Sequence, residues 1–205
     1  MLSGPVVGFD LDMTLVDSAA GIAATVRAAL AEVGRTVTDA EVWPHVGVPL
    51  EATLDAVAPG VDTAAVTRRY RELYAEVGIP PITPLAGAAA ALAAVRALGG
   101  RVLVVSAKVT PAVESVLVHT GLSGAVDLVA GGRFAAAKGD LLAAEGADVY
   151  VGDHPGDVTA ARAGRAVAVA VATGPHDAAA LERAGADVVL PDLTAFPAWL
   201  ERLAR

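Results

Sequence analysis

Hydrophobic residues crowd the start of the chain at Val6-Val7-Gly8-Phe9, and the run breaks at Asp10 and Asp12 on either side of Leu11. A segment apolar at nearly every position suits a strand buried on both faces, and the break sets both aspartates at its carboxyl end. From Leu15 the pattern turns helical, and no strand is expected before Gly100. Asp17 or Ser18 is placed to cap a helix running to about Val33, with Gly34 as its stop. Thr38 and Glu41 have capping-box spacing, Pro49 suits the first turn before Leu50 to Val57, and Asp62 suits the cap of a helix through Val77 that ends at Gly78. Pro80, Pro81 and Pro84 then make the stretch from Ile79 to Pro84 read as a hinge.

Beyond this hinge strand and helix alternate, the pattern of a parallel sheet. Strands are expected at Arg101 to Val105, Val126 to Val129, Asp148 to Val151, Ala166 to Val171 and Val188 to Leu190. Helices are expected from about Ala86 to Leu98, then near Pro111 to Thr120, Lys138 to Glu145, Asp157 to Ala163 and Asp177 to Ala184. The predicted fold is α/β: a doubly wound core of residues 1–14 and 84–205, interrupted after its first strand by a helical block of residues 15–83 that reads as a cap.

Composition narrows the setting. Of the 205 residues 55% are hydrophobic but only 4% aromatic, so the interior must be built from Ala, Val and Leu. No stretch offers the roughly 18 uninterrupted apolar residues of a membrane span, and the N-terminus lacks the basic region of a signal peptide. With no cysteine, disulfides and thiol chemistry are excluded, and a cytoplasmic protein without a membrane partner is expected. A net charge of −8 argues against a nucleic-acid-binding surface. Lys108 and Lys138 are the only lysines among otherwise arginine basic residues, and compact ammonium groups suit contact with a phosphate oxygen.

Residues spaced by two along an extended segment share a side, so Asp10 and Asp12 can face one pocket as a nucleophile and its proton partner. Like charges there need a shared proton or a hard cation, most simply Mg²⁺. Alternatively, one aspartate caps the next helix and the other is solvated. Three later strand ends also carry polar residues: Ser106 with Lys108, Lys138 near the following helix start, and the tight loop Gly152-Asp153-His154-Pro155-Gly156-Asp157. In that loop Asp153 can address a cation, while Asp157 caps a helix or supports the metal from behind.

Taken together these motifs resemble a haloacid-dehalogenase-superfamily phosphatase, in the branch similar to phosphoglycolate phosphatases. The D-x-D-x-T motif matches Asp10 to Thr14 and continues into Leu15-Val16-Asp17-Ser18; the second motif matches Ser106, the third Lys138, and the fourth Asp153 with Asp157. The resemblance implies a Rossmann-like core with a mobile helical cap, acting as a monomer or homodimer on a small phosphorylated metabolite. It also implies that Asp10 attacks phosphorus and forms an aspartyl-phosphate, while Asp12 protonates the leaving alcohol and then activates water. Mg²⁺ would be held by Asp10, Asp153 and the backbone carbonyl of Asp12, with Thr14, Ser106 and Lys138 on the phosphoryl oxygens.

Three positions depart from that pattern: Met13 stands where glycine is usual, Ala107 where asparagine is common, and Gly139 where proline is frequent. Met13 is expected to fill an apolar niche, and Lys108 is a reserve candidate for the phosphate-binding lysine. His154 is expected to be a solvated loop residue, and His45, His119 and His176 to be structural. Arg68, Arg69 and Arg71 are expected to be solvated, and Tyr70 and Tyr74 to pack on one helix face. A sugar-phosphate mutase of the same fold and a catalytically silent phospholigand-binding module are the competing readings, and a dehalogenase is disfavoured by Asp12.

Overall fold

The computed structural model describes residues 4–203. In chain order its strands are β1 (Val6–Phe9), β2 (Val16–Asp17), β3 (Thr83–Pro84), β4 (Arg101–Val105), β5 (Leu128–Ala130), β6 (Val149–Gly152), β7 (Val167–Val171) and β8 (Val188–Leu190). Six of them form one sheet in the order β5-β4-β1-β6-β7-β8, with every neighbouring pair parallel. The helices are α1 (Ala19–Ala31), α2 (Asp39–Val42), α3 (Leu50–Val57), α4 (Thr63–Leu73), α5 (Ala88–Ala97), α6 (Thr110–His119), α7 (Ala136–Glu145), α8 (Pro155–Ala163), α9 (Ala178–Ala184) and α10 (Phe196–Leu203). The α/β class and parallel sheet expected from the sequence are both present.

Alternating side chains on the strands divide the interior between the two faces of the sheet. Val102 and Val104 of β4, with Val149 and Val151 of β6, join Phe9, α5 and α10 on one face, where Phe9 meets Phe196 edge-on at 5.4 Å. Leu103, Val105 and Tyr150 point the other way, into Leu142 of α7 and Val158, Ala160 and Ala161 of α8. Gly8 makes room for the Tyr150 ring, because a Cβ there would lie 2.7 Å from it. The buried Tyr150 hydroxyl donates to the Val105 carbonyl at 2.7 Å, so its burial leaves that group satisfied.

Several boundaries differ from expectation for identifiable reasons. The strand expected from Val126 begins at Leu128, because Asp127 is spent at its start: its carboxylate accepts from the Val102 amide at 2.8 Å and from Arg96 at 2.7 Å. The helix expected to reach Val77 is regular only to Leu73 and then widens into a π-helical turn over Tyr74–Gly78. That turn presses against α1 so closely that a Cβ on Gly21 would fall 2.0 Å from the Gly78 carbonyl. The expectation of no strand between Leu15 and Gly100 is corrected by β2 and β3, which pair antiparallel as Val16↔Pro84 and Asp17↔Thr83. Helix α10 was not expected, although Phe196 and Leu200 have helical spacing and Pro197 suits a first turn.

Capping follows the sequence more closely. Thr38 and Glu41 form the reciprocal box at the start of α2, and Asp62 accepts from the Ala65 amide at 3.0 Å at the start of α4. At α1 the side-chain bond comes from Asp17 rather than Ser18, whose buried hydroxyl has no partner among the described residues. Among those residues no helix is long and apolar enough to cross a membrane.

Candidate active site

Strand order reverses at β1, which has β4 on one side and β6 on the other, and the carboxyl edge at such a point is where open α/β sheets bind ligands. The ends of these three strands bring Asp10, Ser106 and Asp153 together, all buried. Asp10 leaves β1 with its amide donating to the Val151 carbonyl at 2.8 Å, which keeps it in line with β6. The chain then turns tightly, with the amides of Leu15 and Val16 both donating to the Leu11 carbonyl. Met13 takes a left-handed conformation in this turn, φ 56°, which glycine would adopt without strain; its side chain is nevertheless buried, filling the apolar niche expected of it.

Lys138 reaches the same point from α7. It is 1% exposed, and its Nζ donates to Asp10 at 2.9 Å and to Asp157 at 2.7 Å. Burial by itself would pull this ammonium down, but the two carboxylates outweigh it and hold the lysine well above its ordinary range. Gly139, the residue that departs from the proline of the resemblance, lies where α7 meets α8: a Cβ there would sit 2.5 Å from that of Ala163. The absent side chain lets the two helices close and carries Lys138 inward.

The loop after β6 supplies the remaining acids. Asp157 is in the first turn of α8, where one oxygen accepts from the His154 amide at 3.1 Å while the other meets Lys138. It thus caps the helix and joins the cluster at once. His154 is half-buried rather than solvated, its Nδ1 accepting from the Gly156 amide at 2.9 Å, and burial lowers its pKa. Asp153 accepts from the Thr14 hydroxyl at 2.9 Å through one oxygen, and its other oxygen is buried without a partner among the described residues. Two glycines bring the acids this close: a Cβ on Gly152 would strike the Asp157 carboxyl at 2.3 Å, and one on Gly174 would lie 1.9 Å from Asp153 Oδ2. Gly174 was not anticipated; its place just past the end of β7 is the signal that could have found it.

Carboxylate oxygens of Asp10, Asp153 and Asp157 lie within 4.8 Å of one another. Burial, the largest influence, pushes Asp10 up to about 7, with Lys138 opposing and Asp157 and Asp12 adding to the rise. Asp153 is raised well above the usual carboxylate range by the same burial and by Asp157 and Asp10. Three carboxyl groups and Lys138 meet here, so full ionisation leaves two negative charges in excess. The oxygen-only donor set, the excess charge and the orphaned Asp153 Oδ2 together fit a hard divalent cation.

Asp12 turns its carboxylate the other way. Its Oδ2 stands 3.3 Å from Lys108 Nζ, which also lies 4.4 Å above the centre of the Tyr74 ring. Asp12 and Lys108 border a cavity of about 400 Å³ between the helical block and the sheet edge, while Asp10, Ser106 and Lys138 do not line it. Ser106 closes the loop below, its Oγ accepting from the Lys108 amide at 3.2 Å. Of the two lysines, Lys138 is therefore the one beside Asp10, and Lys108 the one beside Asp12. Tyr70 and Tyr74 stack at 5.5 Å as expected, but both also face the cavity, as does His45. Arg69 is held by Glu32 and Glu72, and Arg71 by Glu51 at 3.1 Å.

The chain is similar to several known proteins. The family model for haloacid dehalogenase-like hydrolases matches residues 7–171. A phosphoglycolate phosphatase of Cupriavidus necator is 34% identical over 93% of this chain and 90% of its own length. The tyrosine-protein kinase PtkA of Mycobacterium tuberculosis is 33% identical over 78% of this chain, and the match spans 60% of the kinase. Among solved structures, a Clostridium acetobutylicum protein described as a predicted phosphatase superposes with a TM-score of 0.87, covering 98% of this chain and 99% of its own; at 22% identity the likeness is one of fold.

Proposed function

Because the chain belongs to the haloacid dehalogenase-like hydrolases, we propose that it is a phosphatase that hydrolyses a small phosphomonoester, with Mg²⁺ as cofactor, by way of a phosphoryl group carried on Asp10. The observation that carries this reading is the contact of Asp10 with the buried Lys138 at 2.9 Å, inside the cluster formed with Asp153 and Asp157. An acid at a strand end, beside a cation and otherwise shielded from water, is placed to act as a nucleophile towards an anionic ester.

Asp10 attacks phosphorus while the ester oxygen leaves with a proton from Asp12, whose position on the cavity wall supports that role. Asp12 then takes a proton from water as that water attacks the aspartyl-phosphate and frees Asp10. Lys138 holds Asp10 and offsets charge on the phosphoryl oxygens, and Ser106, at the end of β4, donates its hydroxyl to one of them. Thr14 orients Asp153. Asp10, Asp153 and the Asp12 carbonyl would hold Mg²⁺, with Asp157 behind them, and the ion would supply neutralisation of the charge that develops in transfer.

The match to a tyrosine-protein kinase favours a second reading, in which a hydroxyl rather than water receives the phosphoryl group from Asp10. Phosphate release from a panel of phosphomonoesters and ATP, with and without Mg²⁺, tests both readings against Asp10→Asn. Metal-dependent release reduced by at least about 10³-fold in the variant is expected. Release from no ester by folded protein would overturn the hydrolytic reading, and a phosphorylated acceptor without free phosphate would establish the second.

A further inference from the structure

Building on the phosphatase reading, we propose that the alcohol released is uncharged and largely apolar, an aryl or branched-alkyl alcohol rather than a hydroxy acid. The cavity of about 400 Å³ touches Asp12, the proton donor, but not Asp10, the nucleophile. It therefore lies on the leaving-group side of the reacting phosphorus. Its size falls within the roughly 300–1,000 Å³ of small-molecule sites, more than a two-carbon acid needs.

The walls decide what fills it. Ile22, Val46, Leu50 and Ile79 come from the helical block, and Pro111 and Ala112 from the start of α6, with the stacked Tyr70 and Tyr74 beside them. Each arginine or lysine on the wall already has an acid: Arg71 meets Glu51 at 3.1 Å, and Lys108 meets Asp12 at 3.3 Å. A carboxylate or second phosphate on the leaving group would be desolvated beside Asp12 and the aliphatic wall, where the buried cation Lys108 is already held by Asp12, while Arg71 and Glu51 pair with each other at the half-exposed rim. An aromatic or branched chain would instead meet aliphatic and tyrosine surface, with its hydroxyl oxygen at Asp12.

The test compares kcat/KM for benzyl and isopentyl phosphate with that for methyl phosphate and phosphoglycolate. It is run with Mg²⁺ at about pH 8. The apolar esters should exceed phosphoglycolate by about tenfold or more. Glu51→Gln, which frees Arg71, should raise phosphoglycolate turnover about 5-fold relative to that of benzyl phosphate. Calorimetric binding of benzylphosphonate and phosphonoacetate asks the same question without turnover, and the first should bind about tenfold tighter.

Preference for phosphoglycolate among the esters, with tighter binding of phosphonoacetate, overturns the inference and leaves the phosphatase reading intact. Hydrolysis of no ester overturns the phosphatase reading, and the two phosphonates still decide what the cavity accepts. Equal binding of both, or binding of neither, also overturns the inference.

Discussion

Asp10 and Lys138, 128 residues apart in the chain, meet at 2.9 Å where both are buried. The pair is costly to desolvate, and it persists because Asp157 supplies a second acceptor at 2.7 Å. Lys138→Met should therefore leave a cluster of buried acids without an internal cation. We expect a loss of about 3–5 kcal/mol in denaturant unfolding, partly restored by Mg²⁺. A variant as stable as wild type without the metal would contradict this account of the cluster.

Proton uptake by the cluster gives a pH dependence of known sign. Burial raises Asp10 to about 7 and Asp153 well above its usual range, whereas in the unfolded chain aspartates titrate near 4. Between about pH 4 and 7 the cation-free folded protein thus holds more protons than the unfolded chain, and this contribution to stability is lost as pH rises. Mg²⁺ favours the charged carboxylates. The rise in melting temperature that Mg²⁺ gives over EDTA should therefore grow from about pH 5 to pH 8, and a rise independent of pH would count against these acids as the binding site.

Gly174 tests the crowding around Asp153. A Cβ there would lie 1.9 Å from Asp153 Oδ2, the oxygen that has no partner among the described residues. Gly174→Ala should weaken Mg²⁺ activation by about 10–100-fold while the circular dichroism spectrum stays that of wild type. An unchanged metal requirement would show that Asp153 does not need this clearance.

Met13 sets backbone strain against burial. Replacing it with glycine relieves a left-handed φ of 56° but removes a buried side chain. The first effect is worth about 1–2 kcal/mol and the second about 2–5 kcal/mol, so Met13→Gly should lose a net ~0–4 kcal/mol in thermal or denaturant unfolding, centred near ~2 kcal/mol. A stabilised variant would mean that the strain outweighs the packing.

Most of the central sheet was legible because buried parallel strands are written as Val- and Ala-rich runs ended by polar residues. Arg101–Val105 and Val188–Leu190 fall at their expected bounds, and β6 and β7 differ only by a residue. The acids and lysines of the site could be named because each follows such a run or opens the next helix. Their pairing could not be read. Nothing in one dimension says that Lys138 meets Asp157, or that Lys108 lies over a tyrosine of the helical block, since both contacts depend on how separate elements dock. The ribbon of β2 and β3 escaped because two residues are too few to show a period, and the widening at Tyr74–Gly78 because it answers to the crowding of Gly21.

That ribbon has a larger consequence. The chain departs from the sheet at Val16–Asp17 and returns at Thr83–Pro84, and the two crossings are hydrogen-bonded neighbours. Everything threaded between them hangs from a single doorway, so its length and contents can change without moving β1 away from β4 or β6. Most side chains of the cavity wall are supplied from inside the doorway, and the clustered carboxylates of Asp10, Asp153 and Asp157 from outside it. Evolution can therefore revise what lines the cavity while leaving the acid cluster untouched.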